Sequence, residues 1–171
     1  MSVQIETERK YLIRMPDEAF LAALPGCEVW DIEQIYLQDG PMGETRRIRS
    51  VFTCGEKKYF RTEKKRVSTL SSIENEEEIS CESYGELKMQ ANPKLNAIMK
   101  RRYRVPYEGH TLEIDIYAFW QDRATLEIEL SSEETEAPVP AWVQVIRDVS
   151  GEIAYKNRCL ADNIPMEDIG K

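Results

Sequence analysis

Residues 5–13 read Ile5-Glu6-Thr7-Glu8-Arg9-Lys10-Tyr11-Leu12-Ile13. In an extended chain, side chains two apart share a face, so Glu6, Glu8 and Lys10 point one way. Late in the chain Leu126-Glu127-Ile128-Glu129-Leu130 repeats the construction, with carboxylates on one face and aliphatic side chains on the other. Between these segments the same spacing recurs as Arg47 and Arg49, Thr62 and Lys64, Glu74 and Glu76, and Lys100 and Arg102. Glu113 and Asp115 alternate with Leu112, Ile114 and Ile116. The period of two predicts strands over 3–13, 31–38, 44–53, 57–66, 72–80, 97–107, 111–118 and 124–131, and seven of these eight carry a charged stripe.

Helical patterns are fewer. Residues 17–24 follow Pro16 and stop at Pro25-Gly26, as a short amphipathic helix does. Residues 81–91 follow Ser80, a good N-cap, and gather Tyr84, Leu87 and Met89 near one side. Residues 141–149, after Pro138 and Pro140, are expected to be helical, with a last turn or two around 155–162. Tyr107-Glu108-Gly109-His110-Thr111 reads as a hairpin turn. Eight strands with helices only at a few connections predict an α+β fold. Its centre is an eight-stranded antiparallel β-barrel with a few short helices packed outside, in a single domain over 1–171.

The 171 residues are 42 % hydrophobic and 32 % charged, a globular composition. A net charge of −8 argues against a nucleic-acid partner but not against a small polyanion met by a local cluster of cations. No apolar run reaches the length of a membrane span, and no signal peptide is expected at the N-terminus. Cys27, Cys54, Cys81 and Cys159 lie far apart with no CxxC pair, which predicts buried free thiols in a reduced, cytoplasmic protein rather than disulfides or a zinc site.

Taken singly, a polar stripe on a half-solvated sheet is a wet face. Here each stripe is nearly pure in sign, and like charges on one face repel unless opposite charges or a ligand face them. If the sheet closes with its apolar side outward, eight carboxylates (Glu6, Glu8, Glu74, Glu76, Glu113, Asp115, Glu127, Glu129) line one lumen with six cations (Lys10, Arg47, Arg49, Lys64, Lys100, Arg102). Carboxylate oxygens suit Mg²⁺ or Mn²⁺, and arginine forks suit phosphate. One close charge pair at an effective dielectric of ~20 is worth about 4 kcal/mol before desolvation. No serine or cysteine nucleophile motif is present, so water is the economical nucleophile.

In these blocks the sequence resembles the CYTH family, the triphosphate tunnel metalloenzymes. Glu6-Thr7-Glu8-Arg9-Lys10 matches its E-x-E-x-K, Gln34-Ile35-Tyr36-Leu37 its QxYL, Arg47-Ile48-Arg49 its RxR and Thr62-Glu63-Lys64 its TxK. Glu74-Asn75-Glu76 with Ile79 matches ExExxI, and Lys100-Arg101-Arg102-Tyr103 matches KxRY. The strands at Glu113-Ile114-Asp115 and Glu127-Ile128-Glu129-Leu130, and Tyr155-Lys156-Asn157 with Leu160-Ala161, complete the order. The resemblance spans about residues 3–161. It implies metal ligation by Glu6, Glu8, Glu127 and Glu129, with Asp115 as a further acidic partner. It also implies triphosphate contacts from Lys10, Arg47, Arg49, Lys64, Lys100, Arg102 and Lys156. One departure precedes Glu74: where an arginine is common, this chain has Ser72, so a cationic contact is either missing or supplied by Arg66.

The resemblance implies Mg²⁺- or Mn²⁺-dependent hydrolysis of a triphosphate, inorganic tripolyphosphate first, by a monomer or homodimer. The competing readings are a class IV adenylate cyclase, a thiamine or nucleoside triphosphatase, and a non-catalytic polyphosphate-binding module. Glu6, Glu8, Lys10 and Tyr36 form the candidate catalytic set. A phenol beside lysines has reason for a lowered pKa, although a strand tyrosine more often packs, and packing is the favoured role for Tyr36. His110, the only histidine, is expected in solvent at the hairpin. Trp30, Trp120 and Trp142 are expected in core or rim packing rather than in base stacking.

Overall fold

All eight expected strands form, and they close on themselves. The computed structural model describes residues 2–171. Its strands are β1 (Ser2–Arg14), β2 (Glu28–Tyr36), β3 (Thr45–Thr53), β4 (Glu56–Arg66), β5 (Ser71–Ile79), β6 (Ile98–Tyr107), β7 (His110–Tyr117) and β8 (Arg123–Glu129). Neighbours run β5-β4-β3-β2-β6-β7-β8-β1, and β1 returns to β5. Every pairing is antiparallel. The length of β1 makes closure possible, because its first half pairs with β5 from Ser2↔Glu76 to Thr7↔Ser71. Its second half pairs with β8 from Glu8↔Glu129 to Arg14↔Arg123. Closure pairs the edge of β5 with the first half of β1 and leaves one edge of the second half of β1 open.

The register turns the charged stripes inward. Directly opposed residues share a face, and the pairs Lys10↔Glu127, Glu113↔Glu127, Arg102↔Asp115, Arg47↔Thr62, Thr62↔Glu76 and Lys64↔Glu74 place these side chains on one surface. Of them Lys10, Thr62, Glu74, Arg102, Asp115 and Glu127 are buried. The alternating aliphatic residues form the outer face and are covered from outside. Ile13, Leu112, Ile114, Leu126 and Ile128 pack under α1 (Glu18–Ala23) and the segment 137–143. Ile35, Ile48 and Leu37 pack under Tyr84 and Leu87 of α2 (Cys81–Lys88). Both helices are N-capped, α2 by the expected Ser80: the Asp17 carboxylate accepts from the Ala19 and Phe20 amides, and the Ser80 hydroxyl from the Ser83 amide. The hairpin at 107–110 turns through Glu108 and Gly109, both at positive φ (47° and 77°), as a two-residue primed turn requires.

Two expectations are corrected. Residues 141–149 do not form a helix; Val145–Asp148 form β9, which pairs with Tyr11, Leu12 and Ile13 on the edge of β1 that β5 leaves open. An exposed backbone edge next to a β-branched segment outweighs the helical reading of so short a run. The cysteines are free, but Cys54 and Cys81 are exposed and Cys27 and Cys159 only partly covered. Cys54 occupies the β3–β4 turn at a φ of 51°, outside any core. Among the described residues no helix is long and apolar enough to cross a membrane.

One end of the lumen is plugged. Leu12, Tyr36, Ile98 and Tyr117 project there and pack with Trp120, Val149, Tyr155, Leu160 and Ala161. Tyr155 ends a 3₁₀ turn (Ile153–Tyr155) that leads into α3 (Asn157–Leu160). The following tail is strapped over the plug: Trp120 donates to the Pro165 carbonyl (3.1 Å), Arg123 to the Glu167 carbonyl (2.7 Å) and Arg14 to the Ile169 carbonyl (2.7 Å). The Glu167 carboxylate accepts from Arg147 (2.7 and 3.1 Å) and from the Tyr155 hydroxyl. Those hydrogen bonds hold it down to about 2, from an ordinary value near 4.5. A depressed carboxylate contributes its full stability above the unfolded value and loses it as pH falls through the folded one. Amide hydrogen exchange in residues 164–170 should therefore speed up relative to the barrel strands between about pH 4.5 and pH 2, and Glu167→Gln should abolish that pH dependence.

Candidate functional site

Beside the plug the lumen opens into a cavity of about 250 Å³. Its floor is built by the strands, with Glu6, Glu8 and Lys10 from β1, Tyr36 from β2, Arg47 from β3, Lys64 from β4 and Glu127 from β8. Its rim is built by Lys156, Asn157, Arg158 and Cys159 at the start of α3 and by Thr69, Leu70 and Ser72 around the β4–β5 hairpin. Eight residues singled out by the sequence thus meet here: Glu6, Glu8, Lys10, Tyr36, Arg47, Lys64, Glu127 and Lys156. Arg66 stands opposite Ser72 in the β4–β5 register and also lines the cavity. A cation therefore occupies the neighbourhood where the sequence departs from the family pattern.

The cations divide into paired and unpaired sets. Lys10 donates to the Tyr155 carbonyl at 2.7 Å and sits 3.3 Å from Glu127, both side chains buried. Lys64 donates to Glu6 at 2.6 Å and lies 3.7 Å from Glu74. Arg47 and Lys156 differ: among the described residues neither has a carboxylate at ion-pair distance, and the Arg47 Nε is buried without a hydrogen-bond partner. Burial opposes the Arg47 charge, but Tyr36, Glu74 and Glu6 more than restore it, so the guanidinium stays charged. Burial pulls the Lys156 ammonium below its ordinary range, against the pull of Glu8. Cations that face an open space with no carboxylate at ion-pair distance form an anion receptor.

Among the cavity carboxylates Glu8 shows the opposite imbalance. Burial, then Glu127, push the Glu8 carboxyl well above the carboxylate range, with Glu6 adding to the push against Lys64 and Lys10. Glu127 is held well below that range, because Lys10, Arg102 and Lys100 outweigh its burial. Among the described residues no three of His, Cys, Asp and Glu already surround a common point. Mg²⁺ needs no such cage, since it keeps waters and uses one or two carboxylates plus substrate phosphates. Glu8, crowded and desolvated beside Glu6 and Glu127, is the carboxylate in the cavity whose burden a hydrated divalent cation would relieve. Glu129 stands across from Glu8 in the register but is exposed, outside the cavity.

Beyond Glu127 the lumen is filled by side chains that form ion pairs with one another. Asp115, wholly buried, accepts from Lys100 (2.7 Å) and from both arms of Arg102 (2.7 and 2.8 Å), and Arg102 also donates to Glu113 (2.9 Å). Burial drives Lys100 down to about 8 despite Asp115. Burial likewise works against the Asp115 charge, but Arg102 and Lys100 outweigh it and hold it below its usual range. Arg49 pairs with Glu76 at 3.3 Å and lies over the Phe60 ring. Lys100, Arg102, Asp115 and Arg49 are thus lumen residues that do not line the cavity. Glu74 and Glu76 do face the lumen, through Lys64 and Arg49.

Burial raises the Tyr36 phenol above its ordinary range, although Arg47 and a 2.6 Å hydrogen bond from Gln34 work the other way; this is the reverse of the shift its neighbours suggest. Trp120 and Trp142 are packing residues, and Trp30 lies under the Arg104 guanidinium at 4.5 Å. Ser72, Thr69, Asn157, Arg158 and Cys159 are cavity residues that the stripe pattern missed, because they lie at strand ends or on α3, where no period of two marks a facing side. Asp115→Ala should leave Lys100 and Arg102 buried without a counter-ion and cost about 3–5 kcal/mol, read from the urea midpoint at constant m-value.

No protein-family model matches the chain, and no curated protein sequence does. Solved structures do. The inorganic triphosphatase NE1496 is similar at 26 % identity over 94 % of this chain and 97 % of its own, with a TM-score of 0.58. The PH1819 protein of Pyrococcus horikoshii OT3 is similar at 26 % identity over 75 % of this chain and 80 % of its own, also with a TM-score of 0.58. HpAC1 from Hippeastrum, at 19 % identity, 75 % and 81 % coverage and a TM-score of 0.52, shares the fold.

Proposed function

We propose that the chain, similar in fold to the inorganic triphosphatase NE1496, is a member of the CYTH family of triphosphate tunnel metalloenzymes and hydrolyses inorganic tripolyphosphate with Mg²⁺ or Mn²⁺. The observation that carries this reading is the cavity in which Arg47 and Lys156 stand opposite Glu6, Glu8 and Glu127 with no carboxylate at ion-pair distance. Its volume of about 250 Å³ lies below the ~300–1,000 Å³ of sites that enclose drug-sized ligands. An inorganic chain of three phosphates suits that space better than a nucleotide does. The solved NE1496 structure is that of an inorganic triphosphatase, and the reading agrees with it.

In this account Arg47 grips phosphate oxygens with its fork, while Lys156, Lys10 and Lys64 place point charges around the rest of the chain. Lys100 and Arg102 act from behind, shaping the field at Glu127, and Arg49 holds Glu76. Glu6, Glu8 and Glu127 would hold the metal, with Glu129 beside Glu8 and Asp115 orienting Arg102. A bound divalent ion supplies neutralisation of phosphate charge and acidifies water. A water oxygen attacks a terminal phosphorus as the bridging P–O bond breaks, its proton passes to the phosphate oxygens of the products, and the displaced diphosphate leaves with its charge spread over the cavity cations. Tyr36 keeps its proton and, accepting from Gln34, can donate that proton into the cavity. We place this activity in the cytoplasm, in a single domain that acts as a monomer or homodimer on a small polyanion.

Phosphate release from tripolyphosphate should far exceed cyclic AMP formation from ATP with either metal; cyclic AMP with intact tripolyphosphate would refute the reading. Glu127→Ala with Glu129→Ala should abolish turnover in a folded protein. Arg47→Ala should weaken tripolyphosphate binding by about 1.5–3 kcal/mol, the scale of a charge-assisted hydrogen bond, measured by calorimetry.

A further inference from the structure

We propose that Glu167, far along the chain from the cavity strands and not lining the cavity, is a positioning residue that sets Lys10 and Lys156 through Tyr155. The inference rests on the proposed hydrolysis only for its kinetic readout. The 3₁₀ turn at Ile153–Tyr155 has no side-chain cap and so depends on tertiary contacts to keep its place. Those contacts converge on Tyr155, whose ring is buried in the plug. Its hydroxyl donates to the Glu167 carboxylate, which also takes two hydrogen bonds from Arg147 (2.7 and 3.1 Å). Arg147 in turn holds Glu152, the residue that starts the turn, at 2.9 Å, and its guanidinium lies 5.2 Å from the Tyr155 ring centre. The Glu167 backbone carbonyl is fixed separately by Arg123, which is 4 % exposed.

The other side of Tyr155 faces the site. Its main-chain carbonyl accepts from the Lys10 ammonium at 2.7 Å, closer than the 3.3 Å between that ammonium and Glu127. The next residue is Lys156, a cavity cation with no carboxylate at ion-pair distance. One short turn therefore carries a carbonyl that aims Lys10 and a side chain that completes the anion receptor. Glu167 clamps that turn from behind. Loosening the clamp should displace both cations from the phosphate positions while leaving the barrel strands intact.

The test compares Glu167→Ala and Glu167→Gln with Asp31→Ala, which removes an exposed ion pair to Arg101 on the outer face. In folded Glu167→Ala the KM for tripolyphosphate should rise about tenfold, within the range of through-structure coupling, with a smaller change in kcat. Glu167→Gln, which keeps acceptor capacity, should recover part of the loss, and Asp31→Ala should match the parent. Hydrogen exchange at the amides of 153–160 should quicken in Glu167→Ala. An unchanged KM in the folded variant, or an equal rise in Asp31→Ala, overturns the proposal. If the parent does not turn over tripolyphosphate, the hydrolytic reading fails, and the positioning role is judged by exchange together with calorimetric binding of tripolyphosphate. Faster exchange with weaker binding upholds the role, and unchanged exchange or unchanged binding overturns it.

Discussion

The structure depends on charge neutralisation inside a closed barrel. Charges removed from water are costly unless opposite charges and hydrogen bonds meet them, yet this chain turns its charged stripes inward and its aliphatic faces outward. The arrangement holds because the strand register sets acids against bases: Asp115 between Lys100 and Arg102, Glu76 beside Arg49, and Glu127 between Lys10 and Arg102. The outer aliphatic faces then need cover, which α1, α2 and the segment 137–143 provide. The elements outside the barrel are in this sense consequences of the charge inside it.

The same neutralisation defines the site by where it stops. Over most of the lumen each cation has its carboxylate, and that part is a packed ionic core. Near the plug the matching fails: Arg47 and Lys156 line open space with no carboxylate at ion-pair distance, and Glu8 is crowded by Glu127 and Glu6. A triphosphate and a divalent cation would together restore the balance on both sides. The plug makes the cavity blind, and the tail strapped across it by Arg14, Arg123 and Arg147 ties residues remote in sequence to the cations at the rim.

Much of this was legible from alternation alone. The eight strands and their charged stripes follow from residues two apart, a local property, and the N-cap at Ser80 follows from local chemistry. Which stripe residues reach the cavity is not local. Lys100 and Arg102 look like Lys10 and Arg47 in sequence, and only the pairing of β6 with β7 commits them to Asp115. Residues 141–149 misled because four residues of strand and one turn of helix share the same short apolar run, and the free edge of β1 decides between them. The roles of Tyr155 and Glu167 depend on the path of the tail across the plug, which no periodicity records.

The central claim, that the unpaired cations and crowded acids beside the plug form one substrate site, is tested most directly by a crystal structure with Mn²⁺ and tripolyphosphate bound. Anomalous scattering should place manganese against Glu6, Glu8 and Glu127, with phosphate oxygens on Arg47 and Lys156. Manganese or phosphate bound only outside the barrel, with the cavity side chains unmoved, would contradict it.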